Sequence, residues 1–453
     1  QQYVLLIGIC GCYVYNIFVF LLLRCMSCVL SYNCRATSNT ITPMSIPNRW
    51  GDAPVSASVA TPLPFVVLLG VMLLSCPAVA AEDSFSVGLS QLIQYDSNLY
   101  RLPDGAVAPR GERSDRISLT GVQLGFDRTV SRQRLRADLN VSHSAYRYHD
   151  DLDYTAPDGR LSWDWVAGRQ WSGTLVHQYS ETLAGFDDVG GTEQVIRRFR
   201  RSAGRAVLRI DPQWAVGAGV AHSRSWYKDG KRPLSEFDAR TVNADLTWTT
   251  RAGNRLQLSV QEADGRYPNR LAVAGSIRDY RQRQWRVGMN WQLTAALAVD
   301  GELGHTSRTY ALAPARDFSG TTGQFALRWV PTAKLALNLR WRRDIGAEED
   351  LVANYALTRV LAFEPVWAAT SKISAGLIAE RRERDYGGDP ELGFGGLVPR
   401  RDDRTERFGL WARYQASDWA SFQLRAERQR RSSALVSRNY DADTVSVFAN
   451  FIF

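Results

Sequence analysis

Alternation of apolar and polar residues with a period of two is the feature that most constrains this chain. It recurs in segment after segment from residue 84 onward, for example in 135–142, 161–167, 285–291 and 445–453. A period of two is that of a β-strand whose two faces meet different surroundings. No stretch after residue 81 keeps a helical period over a comparable length, so the sequence predicts an all-β fold.

The spacing of these segments predicts a barrel. They number about eighteen, and strands of about 10–12 residues are long enough to cross a bilayer at a tilt. Short connections alternate strictly with long ones along the chain. The short ones are 131–134, 168–170, 211–213, 250–254, 293–296, 331–333, 364–371 and 416–418, and the long ones include 101–114, 186–197, 265–277, 345–351 and 386–404. A β-sandwich does not require every second turn to be tight. We therefore predict a transmembrane antiparallel β-barrel of about 18 strands, with short periplasmic turns and long outer loops.

Aromatic residues fit the same interpretation. Eight tryptophans lie close to the short turns, where a barrel has an aromatic girdle at the membrane interface: Trp165, Trp171, Trp214, Trp248, Trp291, Trp329, Trp367 and Trp419. The last strand ends on Phe451 and Phe453. These two residues resemble the signal read by the barrel-assembly machinery, which we expect as a partner together with outer-membrane lipid and lipopolysaccharide.

The first eighty residues have a different character. All six cysteines fall at or before Cys76. Residues 44–81 have a basic start, an apolar core and a small-residue end, as a secretory signal peptide does. Residues 1–43 include an apolar run, 4–23, that is long enough for a transmembrane helix; we interpret them as an upstream leader from an incorrect gene start. The exported barrel is then 82–453, in the outer membrane of a Gram-negative bacterium, unless Cys76 is instead the lipidated first residue.

The polar alternates define a candidate lumen. If the apolar residues face lipid, their neighbours line the interior, and barrels of this size enclose water. A wall this polar cannot be a packed core, because each buried charge would need a partner. The charged candidates for the solute path are Asp138, Arg205, Arg209, Arg286, Asp300, Glu302, Arg328, Arg340, Arg413, Arg425 and Glu427. Arginine suits anionic or polyhydroxylated solutes, although arginine–acid pairing along the wall explains the same residues.

The sequence gives little support for enzyme activity, a metal site or nucleic-acid binding. The five histidines show no metal-binding spacing, so we expect no metal, no cofactor and no enzyme activity. A hydrolytic site at the rim would need a histidine and an acid, for which His149 with a loop aspartate is the one candidate. Acidic loop pairs such as 150–151, 187–188 and 402–403 are expected to be solvated rather than to bind Ca²⁺. The arginines are spread over every strand, which argues against nucleic-acid binding.

One segment resembles a known family. Tyr95-Asp96-Ser97-Asn98-Leu99-Tyr100-Arg101 is similar to the segment near the mature N-terminus of the EpsL-type outer-membrane proteins of exopolysaccharide operons, a β-barrel porin family associated with PEP-CTERM sorting. The resemblance implies a stand-alone barrel that serves exopolysaccharide export, with the polymer and a periplasmic export apparatus as partners. From the residues alone, 96–98 are turn formers, and Tyr95 and Tyr100 are rim anchors.

Three functions follow from these observations. The first is passive export of an exopolysaccharide through an arginine-rich lumen. The alternatives are a general diffusion porin for small solutes and a structural or adhesion barrel with a closed lumen. A loop such as 387–396 is a candidate gate.

Overall fold

The computed structural model describes residues 84–189, 191–272, 278–314, 317–346, 355–387 and 401–453. The expected leader and signal peptide lie outside these residues, as does the expected gate loop beyond Gly387. Among the described residues, no helix has the length and apolar character needed to span a membrane.

The described chain forms one sheet of 18 strands. The strands are β1 (Phe85–Asp96), β2 (Asp115–Val130), β3 (Gln133–Tyr146), β4 (Tyr154–Ala167), β5 (Trp171–Leu183), β6 (Ile196–Arg209), β7 (Trp214–Tyr227), β8 (Phe237–Thr249), β9 (Arg255–Arg266), β10 (Asp279–Thr294), β11 (Leu297–Thr309), β12 (Phe318–Thr332), β13 (Leu335–Gly346), β14 (Tyr355–Ala368), β15 (Ile373–Gly387), β16 (Asp402–Ser417), β17 (Ala420–Ser433) and β18 (Tyr440–Ile452). One helical turn, α1 (Phe186–Val189), and 3₁₀ turns at Pro109–Gly111, Asp150–Leu152, Lys228–Gly230, Pro233–Ser235 and Val436–Arg438 lie in the connections.

The sheet closes on itself. Each strand is antiparallel to the next in the chain, and β1 pairs with both β2 and β18. The backbone amide of Phe453 donates to the carbonyl of Val87 at 2.8 Å, and that of Val87 donates back at 2.9 Å. A closed barrel leaves no strand edge exposed, which a lipid bilayer requires because it offers no hydrogen-bond partners. The predicted antiparallel barrel and its strand number are confirmed.

The connections alternate as predicted, but some strands are longer than the sequence pattern suggested. Short turns such as 131–132 and 250–254 alternate with long loops such as 97–114 and 184–195. The predicted connection 364–371 is wrong, because β14 continues to Ala368 through Pro365. Proline lacks an amide proton and suggests a strand end. Here Pro365 keeps its register partner on β13, and only the pairing with β15 is interrupted.

The two faces of the sheet differ in the way the alternation predicted. One face presents large apolar side chains that are well exposed, among them Val220 (61%), Val287 (59%) and Leu303 (55%). The other face carries arginines and carboxylates that pair with one another, as in the Arg286–Glu302 ion pair. Arg431, on this charged face, also contacts the β5–β6 loop from β17. A loop can bridge such distant strands from inside the barrel, so the charged face is the lumen and the apolar face meets lipid.

The tryptophan positions agree with this orientation. Trp171, Trp214, Trp329, Trp367 and Trp419 are each between 39% and 55% exposed, beside the short turns. Trp214 and Trp248 are register partners on neighbouring strands, with ring centroids 6.4 Å apart. The structure therefore places a girdle of tryptophan side chains at the periplasmic end of the lipid-facing surface.

Candidate functional site: the lumen and its outer mouth

All eleven residues predicted for the lumen lie on the charged face of the strands. Two pairs of them are brought together: Arg286 with Glu302 at 3.2 Å, and Arg425 with Glu427 at 2.6 Å. Two more of the predicted arginines pair with carboxylates that were not in the predicted set: Arg205 with Asp245, and Arg340 with Glu364. Asp138 lies opposite Arg160, and Arg413 donates to Gln415 and Ser421, both at 3.4 Å. Arg209 and Arg328 have no ion-pair partner within the described part of the chain.

A cavity of about 340 Å³ gathers three of the predicted residues on β10–β14. Asp300, Arg328 and Arg340 line it, together with Asn290, and Asn290 donates to Asp300 at 2.7 Å. These side chains come from four strands at the same height. Register, not sequence spacing, brings them together.

The Arg205–Asp245 pair shows how the backbone makes room for these contacts. Arg205 on β6 donates twice to Asp245 on β8, at 2.5 and 2.8 Å, across the intervening strand β7. The residue between them is Gly217, where a Cβ would lie 2.4 Å from the guanidinium and 2.7 Å from the carboxylate. Any side chain at this position would separate the pair. Asp245 is nearly buried, and the pair fixes the direction of Arg205 in the lumen.

Arginines are concentrated on two opposite walls. Along β6, Arg197, Arg201, Arg205 and Arg209 all face inward at intervals of four residues. β6 and β15 lie half a turn apart in the ring of strands.

The second arginine wall is a linked network on β15–β17. Glu380 accepts from Arg382 at 2.8 Å and from Arg407 at 3.4 Å. Arg407 in turn lies 3.8 Å from Glu427, which also binds Arg425. The sequence prediction included Arg425 and Glu427 but not the other three residues, although they follow the same alternation. Glu380 and Arg382 lie near the middle of β15, and Arg407 is the register partner of Glu380 on β16.

Three outer loops pack together at the mouth of the barrel. Leu99 and Tyr100 of the β1–β2 loop, Leu152 of the β3–β4 loop and Phe186 of α1 form a buried apolar cluster, here called the mouth cluster. The Tyr100 and Phe186 rings are 4.7 Å apart, centroid to centroid. Burial, followed by the nearby Asp151 carboxylate, raises the pKa of the Tyr100 hydroxyl to about 12. The prediction that Tyr100 is a rim anchor is wrong, because it is 3% exposed; Tyr95 is 45% exposed.

The segment 95–101 builds the turn that leads into the mouth cluster. Asn98 bridges the carbonyl oxygens of Leu102 and Asp441, at 2.8 and 3.0 Å. Arg101 has a left-handed φ of 55°, uncommon outside glycine, and forms a double ion pair with Asp96 at 2.7 and 2.9 Å. These polar residues are therefore used by the fold itself.

An ion-pair cluster ties the β5–β6 loop to strands a third of the way around the mouth. Asp403 is 3% exposed and binds both Arg401, at 2.8 Å, and Arg431. Arg431 also donates to the backbone carbonyl of Asp187 at 2.6 Å, although β5 and β17 lie six strands apart around the ring. We call Arg401, Asp403 and Arg431 the mouth clamp. The prediction that Asp403 belongs to a solvated loop is wrong, because β16 begins at Asp402 and turns Asp403 inward.

His149 is part of the framework of the mouth. Its Nδ1 lies 2.8 Å from Asp115, whose carboxylate also accepts backbone N–H groups from residues 147–149. Its Nε2 lies 3.4 Å from the carbonyl of Pro109. Both side chains are fully buried, so this histidine–acid pair cannot reach a solute. Among the described residues there is also no group of three side chains arranged to hold a metal ion.

A family model described as "Putative beta-barrel porin 2" matches residues 88–451. The chain belongs to this porin family. The match extends from the first strand to the last, so it covers the barrel that the structure describes. The protein is thus an outer-membrane β-barrel porin of a Gram-negative bacterium.

Solved porin structures resemble this barrel at low sequence identity. OccK9 (OpdG) of Pseudomonas aeruginosa has 13% identity and a TM-score of 0.46, over 82% of this chain and 98% of that one. OccK2 (OpdF) of the same organism, solved with glucuronate, has 12% identity and a TM-score of 0.45, over 82% and 99%. OccAB3 of Acinetobacter baumannii has 9% identity and a TM-score of 0.46, over 82% and 99%. Likenesses at this level say nothing about the solute that this chain passes. No curated protein matches the chain.

Proposed function

We propose that the protein is a passive diffusion porin for small solutes, with a preference for anions. The observation that carries the proposal is the pair of arginine walls that face each other across the lumen. Inward-facing arginines outnumber inward-facing carboxylates on the described strands, with β6 contributing four arginines and no acid. A channel lined by one sign of charge concentrates ions of the opposite sign.

The mouth favours small solutes over a polymer. The mouth cluster and the mouth clamp hold three outer loops inward, and the clamp includes a buried carboxylate between two arginines. A polysaccharide needs a continuous wide path, so these loops would have to move during every export event. Export of an exopolysaccharide rests on the resemblance of residues 95–101, a segment whose polar side chains build a turn. It stays a prediction.

Ion selectivity in planar bilayers tests the proposal. We expect the wild-type channel to favour chloride over potassium, and Arg201→Gln to reduce that preference because Arg201 faces the lumen. Arg200→Gln is the matched control, since Arg200 is the neighbouring residue on the lipid-facing side of the same strand. An unchanged preference in Arg201→Gln, or equal changes in both variants, would contradict the proposal.

Conductance in the presence of polymers separates the alternatives. We expect small sugar acids to reduce the current and exopolysaccharide to leave it unchanged. Block by exopolysaccharide would favour the export function, and absence of any conductance would favour a structural barrel.

A further inference from the structure

The lipid-facing surface carries a charged region above the apolar belt on β8–β10. Arg240, Asp264 and Arg281 are register partners in one row across these strands. Asp238, Arg266 and Asp279 form the next row outward. Charges of opposite sign therefore alternate both along and across the strands. We call these six residues the outer charged patch.

The residues beneath the patch show at which level of the membrane it lies. On β10, the lipid-facing positions pass from Val287 and Trp285, which are 59% and 58% exposed, to Arg283 and Arg281. On β8 the lipid-facing residue that follows Asp238 and Arg240 is Val242, which is 54% exposed. Exposed apolar residues of this size mark the hydrocarbon layer. The patch faces outward directly above that layer, on the side of the long loops, which is the level of the outer-leaflet headgroups.

The patch surrounds a cavity of about 570 Å³. All six patch residues line it, together with Thr309, which shares their face of the barrel. The cavity therefore opens on the lipid side and lies away from the path of a transported solute.

Two arginines of the patch have unused binding capacity. Asp264 is held by Arg281 at 3.0 Å, and Asp238 by His222 at 2.9 Å. Within the described part of the chain, Arg240 and Arg266 pair with no carboxylate, and Asp279 pairs with no cation. The cavity thus presents two guanidinium groups and one carboxylate that have no ion-pair partner among the described residues.

We propose that the outer charged patch binds the phosphorylated saccharide headgroup of lipopolysaccharide from the outer leaflet. Arginine binds phosphate through two parallel N–H···O bonds. Arg240 and Arg266 take the glycolipid phosphates. The acyl chains of the same glycolipid lie on the apolar belt below. This site is separate from the lumen and goes beyond the transport function.

Binding of purified glycolipid to the detergent-solubilised full barrel tests the site. The probes are diphosphoryl lipid A, its fully dephosphorylated form and inorganic phosphate, each with Mg²⁺. Native mass spectrometry gives the number of bound lipids and the apparent affinity. We expect diphosphoryl lipid A to bind the wild-type protein and Arg240→Gln/Arg266→Gln to weaken binding at least about tenfold, as for the loss of charged hydrogen bonds. Arg240→Lys/Arg266→Lys keeps the charge without the planar fork and should fall between the two.

The matched control is Arg428→Gln/Arg430→Gln on β17. These arginines lie on the same lipid-facing surface but are paired with Asp443 and Asp441, at 3.8 and 3.6 Å. This variant loses the same charge and should retain the glycolipid. Equal losses in the two Gln pairs would show a general charge effect and overturn the proposal. Equal binding of the dephosphorylated lipid, or displacement of lipid A by inorganic phosphate at similar concentration, would also overturn it.

Discussion

On the inward and outward faces of the same strands, charged residues occur at different heights in the membrane. On β10, Arg286 faces the lumen in the middle of the strand and is bound to Glu302, while its neighbours Trp285 and Val287 face lipid. On the outward face, charges begin only above the apolar belt, at Arg283. Around the barrel as a whole, the inner face carries charged residues at every height, and many of them pair with a charged residue on a neighbouring strand.

This difference follows from the solvent on each side. Water in the lumen hydrates an arginine, and a carboxylate on the next strand orients it. Hydrocarbon does neither, so a charge on the outward face is stable only at the headgroup level.

The largest expected effect comes from the mouth clamp. Asp403→Ala removes the carboxylate that lies between Arg401 and Arg431 and leaves two nearly buried guanidinium groups facing each other. Breaking a buried ion pair in this way costs about 3–5 kcal/mol. We expect faster amide exchange in the first residues of β16 and a higher conductance as the β5–β6 loop is released. An unchanged conductance would show that the clamp does not hold the mouth.

The next largest effect is expected when an arginine is added to the outward or to the inward face. Leu303→Arg places a guanidinium in the lipid-facing belt, where it should destabilise the barrel by about 2–4 kcal/mol. Gln324→Arg adds the same side chain to the inner wall, opposite Glu302, and should be close to neutral. Urea unfolding from lipid vesicles measures both. Equal destabilisation would mean that the two faces have been assigned incorrectly.

Removing an acid from the inner wall should have a smaller effect. Glu380 is shared by Arg382 and Arg407, which are each about one-third exposed to the lumen. Glu380→Gln frees these cations, and we expect a stronger anion preference. Reversal potentials in a salt gradient measure the preference. A shift toward cations would contradict the proposed role of this wall.

The smallest effect concerns Tyr100. The pKa of its hydroxyl is raised to about 12, above the value of 10 expected in an open loop, so the cluster keeps its full stability below pH 10. Stability should fall as the pH rises from 10 toward 12, because an opened loop releases the proton first. Conductance recorded over this range should rise in the wild type. Tyr100→Phe should remove that rise without a stability cost, since the hydroxyl has no partner among the described residues.

Much of this molecule could be predicted from short-range patterns. The period of two in segments such as 285–291 identified strands and assigned their faces, because neighbouring side chains on a strand point to opposite sides. The alternation of short and long connections identified the two ends. The outward tryptophans and the inward arginines followed from the same rule.

The strand ends were harder to predict. Asp403 lies in a strand extension near the outer loops. A charged residue there resembles a loop residue until its partners are known, so Asp402-Asp403 looked like a solvated pair.

The sequence by itself determined the closed sheet, its strand number and the face on which each side chain lies. These depend on local alternation, which each strand carries independently. Only the tertiary structure decided that Arg205 reaches Asp245 over Gly217, that the β5–β6 loop turns inward to Arg431, and that Arg240 and Arg266 line one outward cavity. These contacts join residues that are far apart in the chain, and their formation depends on strand register and loop packing, which a local pattern does not contain.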